Sequence, residues 1–113
     1  MNEIKVKLDL LVESGIIDST DRETIEAWLE LIVKRELFDL TKVDTFVTHS
    51  AMVLSREKSN QEIAELDAVI FDSVEEKVRN EADEIIAEMK SIHAIKDFEE
   101  GYILIHLCNL LSK

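Results

Sequence analysis

At 113 residues the chain has the length of one domain, with room for a single modest core. It contains no proline and only two glycines, while Leu, Ile, Glu and Lys recur at helical spacing, which points to an all-α fold and leaves few turn signals for strands. Its 25 Asp and Glu against 13 Lys and Arg give a formal net charge of −12, a field that repels phosphate backbones and anionic lipid, so neither direct nucleic-acid binding nor membrane binding is expected.

No stretch approaches the roughly 18 consecutive apolar residues of a membrane span. The start, Met1-Asn2-Glu3-Ile4-Lys5, lacks a basic region followed by an apolar run, so a soluble cytoplasmic protein is expected. The single cysteine, Cys108, has no internal disulfide partner and falls in an apolar stretch, where it reads as a small core side chain. There is no HxxxH, HxxE or CxxC spacing to place two metal ligands on one helical face, and no GxGxxG, P-loop or GxSxG segment. No metal, no cofactor and no enzymatic activity are expected.

The first predicted helix covers residues 3 to 13, with Ile4, Leu8, Leu11 and Val12 on one face and Ser14-Gly15 as its stop. Thr20 and Glu23 form a capping-box pattern ahead of Ile25, Trp28, Leu29, Ile32 and Val33, in a helix predicted to reach about Leu37. Trp28 reads as the bulky anchor of a helix–helix contact. Thr41-Lys42-Val43-Asp44 opens a third helix, whose core stripe is Val43, Phe46, Val47, Ala51 and Leu54 and whose end is marked by Arg56, Glu57 and Lys58.

Ser59 and Glu62 suggest a cap for a short helix over about residues 60 to 69, bringing Ile63, Leu66 and Ile70 towards the core. Ser73 with Glu76 then begins what reads as the longest helix. Its apolar positions Val74, Val78, Ala82, Ile85, Ile86, Met89 and Ile92 step by three and four, and its acidic positions form a solvated face. His93, at its end, suits the helix dipole as a capping or surface residue. Asp97 and Glu100 are the expected caps of the final helix. No repeat, linker or low-complexity tract divides the chain, so a single-domain bundle of about five helices over residues 1 to 113 is predicted.

Within that bundle the final helix, from Phe98 to Leu111, is apolar nearly all round and belongs in a core, yet it carries one imidazole, His106. Residues three, four and seven apart share a face, so His106 lies on a stripe with Glu99, Tyr102, Ile103, Asn109 and Leu110. On the third helix, His49 stands seven positions before Arg56, two turns along the same face, with Met52 and Val53 between them. The residues alone leave both histidines open to a structural reading, as satisfied core side chains, and to a functional one.

The segments Phe46-Val47-Thr48-His49-Ser50-Ala51-Met52-Val53-Leu54-Ser55-Arg56 and Glu99-Glu100-Gly101-Tyr102-Ile103-Leu104-Ile105-His106-Leu107 together resemble the two histidine segments of the phosphotransferase-system regulation domain (PRD) family. The first matches its His-aliphatic-x-x-Ala-x-x-Arg pattern, the second its Glu-x-x-aromatic-Ile-x-Leu-His pattern. The likeness spans roughly residues 5 to 112, with specificity confined to those two segments. It implies a five-helix module whose histidines, His49 and His106, accept phosphoryl groups from phosphocarrier proteins of the bacterial sugar phosphotransferase system, with Arg56 and Glu99 in support. In relatives such modules occur in pairs behind an RNA-binding or DNA-binding domain, and phosphorylation alters dimerisation and transcriptional output. Here Ser50 replaces the usual aliphatic residue and Ile105 the usual leucine. No nucleic-acid-binding segment or second module is apparent, so the resemblance implies a stand-alone homodimeric regulator acting through a partner protein. The chemistry fits: a neutral imidazole nitrogen attacks phosphorus while its other nitrogen is oriented, the role expected of Glu99 at His106, and Arg56 neutralises the incoming dianion.

Overall fold

Isolated helices of 12 to 19 residues are marginal in water, so each helix of this chain is held by the apolar stripe it buries against its neighbours. The computed structural model describes residues 2–35 and 40–111. Among these, the regular structure is entirely helical: α1 (Asn2–Glu13), α2 (Ser19–Val33), α3 (Leu40–Lys58), a short 3₁₀ turn (Ala68–Phe71), α4 (Glu76–Ile92) and α5 (Asp97–Leu111). The chain is an all-α single bundle.

α5 lies between α3 and α4, which explains why its sequence is apolar on nearly every side. Ile103, Leu104, Leu107, Cys108, Leu110 and Leu111 are all buried. α2 packs on both α4 and α3, and α1 closes the bundle against α2 and α3 through Ile4 and Leu8. Trp28 is fully buried at the centre of the α2–α4 contact, where its indole N–H donates to the Met89 carbonyl at 3.1 Å. A buried indole needs such an acceptor, and here it comes from the last turn of α4. The long acidic face of α4 is not purely solvated: Arg35, just beyond α2, reaches Glu81, Glu84 and Glu88 at 3.6, 3.8 and 3.3 Å.

Several boundaries differ from the sequence reading. The capping box of α2 is formed by Asp18 and Asp21, two residues earlier than the Thr20–Glu23 pattern, with each carboxylate accepting from the other's backbone N–H. Asp accepts in this geometry as well as Thr does, and Lys58 from the end of α3 pairs with both carboxylates. α2 ends at Val33; the predicted extension to Leu37 falls partly on residues 36–39, outside the described ones. The helix expected over residues 60 to 69 does not form. Asn60 takes φ +54, and the Ser59 hydroxyl, instead of capping forward, donates back to the Ser55 and Arg56 carbonyls at the end of α3. The backbone from there is irregular until Asp67 caps the 3₁₀ turn. A single apolar stripe of three residues is too little to offset helix nucleation.

α4 starts at Glu76 with no side-chain cap, not at Ser73, and at 17 residues it is shorter than α3 with 19. At α5, the Glu100 carboxylate accepts from Lys90 of α4 at 3.1 Å instead of capping the helix. His93 donates its backbone N–H to Met89, and its ring sits 3.0 Å from Glu57 and edge-on to Trp28. No helix among the described residues is long and apolar enough to cross a membrane.

Candidate functional site

The same seven-residue step occurs on two facing helices, in opposite directions. On α3 it separates His49 from Arg56; on α5 it separates Glu99 from His106. Because α3 and α5 run antiparallel in contact, the ends of the two steps meet in pairs. His49 stacks on His106, with ring centroids 3.7 Å apart and planes inclined by 20°. Two turns away, about 10.5 Å along the helices, Arg56 clasps Glu99 with two hydrogen bonds, Nε to Oε2 at 2.8 Å and Nη2 to Oε1 at 2.7 Å.

Sequence reasoning placed these four residues on the right faces, and the structure brings all four to one helix interface. It changes their pairing. Glu99 does not orient His106; its carboxylate is taken up by Arg56, whose planar fork matches it in a bidentate geometry that a single imidazole N–H cannot rival. Among the described residues neither imidazole has a hydrogen-bond partner, and no nitrogen of either ring is among the buried atoms left without one, so each is open to solvent. The glutamate is buried at 2 % exposure and its charge is held in place by Arg56. The same bond raises the Arg56 guanidinium above its already high range.

Electrostatics distinguish the two rings. Burial pushes His106 down to about 4, with a smaller contribution from the neighbouring His49. His49 is lowered too, first by burial and then by two cations, Arg56 on its own helix and Lys7 from α1. At neutral pH both rings are therefore uncharged, each with a nitrogen lone pair available. Lys7 is itself held by Asp44 at 3.0 Å. Nothing in the sequence marked Lys7 as a charge felt at His49, because its influence arises only when α1 packs on α3.

The rings also face different surroundings. His49 opens into a cleft of about 280 Å³, lined by Val53, Arg56, Ile63, Tyr102 and Ile103. Tyr102 closes one side by donating its hydroxyl to the Ala64 carbonyl at 2.8 Å, which ties the irregular segment after α3 to α5. His106 instead borders a broad groove of about 940 Å³ between α4 and α5, whose charged lining is Glu75, Glu81 and Lys77. Cys108 is buried, and burial raises its thiol above the ordinary value, which keeps it protonated and unreactive.

No family model, curated protein or solved structure matches this chain. The geometry of the site is therefore what speaks to its chemistry. Two uncharged, solvent-reached imidazoles face each other, one of them sharing a cleft with Arg56, and the arrangement can offer a nucleophilic nitrogen to an electrophile that carries negative charge. Among the described residues no group of three or more His, Cys, Asp or Glu side chains is arranged to hold a metal ion.

Proposed function

We propose that this protein contains a cytoplasmic regulatory module of the PRD type, phosphorylated on histidine by phosphocarrier proteins of the sugar phosphotransferase system. It acts through protein–protein contacts, as a homodimer or with an output partner, in transcriptional or metabolic regulation. The observation that supports this reading most directly is the stacked His49–His106 pair, without a hydrogen-bond partner among the described residues and reached by solvent, with Arg56 lining the cleft into which His49 opens. Each ring keeps a nitrogen that a donor can reach, which a phosphoacceptor requires. Met52, one turn after His49 and 44 % exposed, offers a partner an apolar contact next to the pair.

In the transfer, the lone pair of an unprotonated imidazole nitrogen forms a new P–N bond as the P–N bond of the donor's phosphohistidine breaks. The bonding pair returns to the donor's ring, which takes up a proton while the acceptor's far nitrogen releases one. Added negative charge on a chain of net charge −12 is tolerated only beside a cation. The change in charge at the α3–α5 surface then alters which protein binds there.

Incubating the protein with phosphoenolpyruvate and the general phosphotransfer proteins, then mapping acid-labile phosphate by mass spectrometry, tests this directly. Phosphate on His49 or His106 is expected, and none on either sinks the proposal. A second reading, a structural interaction subunit in which the two rings merely pack, draws on the close stacking of the pair. It predicts a large loss of melting temperature when both histidines become alanine, where the regulatory reading predicts a folded protein that no longer takes phosphate.

A further inference from the structure

We infer that His49, not His106, carries the phosphoryl group, and that the group is read by drawing Arg56 away from Glu99, which loosens the start of α5. The inference deepens the phosphoacceptor reading above and depends on it for the identity of the modification, but not for the donor.

The position of positive charge selects the ring. A phosphorylated imidazole carries close to two negative charges and three acceptor oxygens, so it settles where cations face it. Arg56 lines the cleft into which His49 opens, and the charge of Lys7 on α1, itself paired with Asp44, is also felt at His49. On the other side, the groove bordered by His106 has Glu75 and Glu81 against a single Lys77. A dianion on His106 would meet carboxylates; one on His49 would meet a guanidinium.

The present engagement of Arg56 supplies the readout. Side chains on a helix lean towards its N-terminus, which for Arg56 is the direction of His49. Of the five N–H donors of the guanidinium, the Nε–Nη2 edge that holds it in place at present is turned to Glu99. A phosphoryl group brings more charge than a carboxylate and competes for the same donors. When Arg56 turns, Glu99, 2 % exposed in the present arrangement, keeps no hydrogen-bond partner among the described residues. A buried carboxylate in that position is tolerated only if water reaches it, and the nearby backbone is suited to yield: Gly101 sits in the second turn of α5, where glycine weakens a helix.

The experiment uses phosphoramidate, a small donor that phosphorylates imidazole nitrogens without a carrier protein. The treated wild-type chain is analysed by mass spectrometry and by amide hydrogen exchange. Phosphate is expected on His49 in roughly tenfold or greater excess over His106, the preference that hydrogen bonds to a charged group can supply. Protection over residues 97–103 should fall on phosphorylation, while α2 and α4 keep theirs. In Glu99→Gln, which removes the competing charge, phosphohistidine at position 49 should last several-fold longer and phosphorylation should leave the protection of α5 unchanged. Phosphate chiefly on His106, no phosphate on either ring, or unaltered protection in the phosphorylated wild type would each overturn the inference. Phosphorylation of His49 by phosphoramidate with the predicted exchange response, but not by the phosphotransfer proteins, would support it while refuting the proposed donor.

Discussion

Arg56 and Glu99 form one ion pair with two unequal partners: the guanidinium side chain is 19 % exposed, the carboxylate 3 %. The two deletions should therefore differ. Arg56→Ala leaves a buried charge unpaired and should cost about 3–5 kcal/mol, whereas Glu99→Gln leaves Arg56 free to turn towards water and should cost about 1–2 kcal/mol. Urea denaturation of both variants measures the order, and equal losses would show that the pair acts as a surface bridge. Arg56→Met combined with Glu99→Leu should recover most of the larger loss.

Acid should weaken the fold through the stacked rings. His106 titrates at about 4 in the folded chain and near its ordinary value when unfolded. Between those values the unfolded state binds more protons, so stability is complete above about pH 6.5 and falls as the pH drops towards about 4. His49, lowered in the same sense, adds to the slope. Melting temperatures taken at half-unit steps from pH 7.5 to 4.5 should decline by several degrees, and His106→Phe, which keeps the stack without the titration, should decline less.

Ser50 follows His49 in sequence, about 100° further round α3, fully buried and with a hydroxyl that has no hydrogen-bond partner. An unsatisfied buried hydroxyl lowers stability. Ser50→Ala should raise it by about 1 kcal/mol, since alanine also favours the helix, and a drop in the urea midpoint would show that the hydroxyl is satisfied in solution.

The two glycines should respond with opposite signs. Gly15 ends α1 at φ +80, so Gly15→Ala should destabilise by about 1 kcal/mol. Gly101 is helical, and a methyl group there would meet the Leu66 Cβ at 3.5 Å, an ordinary contact. Gly101→Ala should therefore stabilise by about 0.5–1 kcal/mol. Thermal melts of the two single variants are sufficient to test this.

The helices themselves were legible because periodicity reports burial: the stripes from Ile4 to Leu8, Val43 to Leu54 and Ala82 to Met89 are the stripes that pack. The apolar α5 was legible as a core helix for the same reason. Caps were less so, because Asp18 and Thr20 are both good N-cap residues, and Lys58, which pairs with Asp18 and Asp21 from the end of α3, is distant in sequence. The segment after Ser59 misled because three apolar residues at helical spacing resemble a helix whether or not anything covers them. At the site, face membership was visible, but pairing was not. Which of His49 and Arg56 meets Glu99 depends on whether the partner helix runs parallel or antiparallel, and no residue in either segment states that direction.

The mirrored seven-residue steps on α3 and α5 also work as a vernier. A slide of α5 along α3 by a single turn, about 5.4 Å, would unstack the histidines and part the arginine from its carboxylate together, since both contacts share one register. Both contacts depend on one register of α5 along α3, so a displacement of the helix that disturbs one end of the interface bears on the other as well.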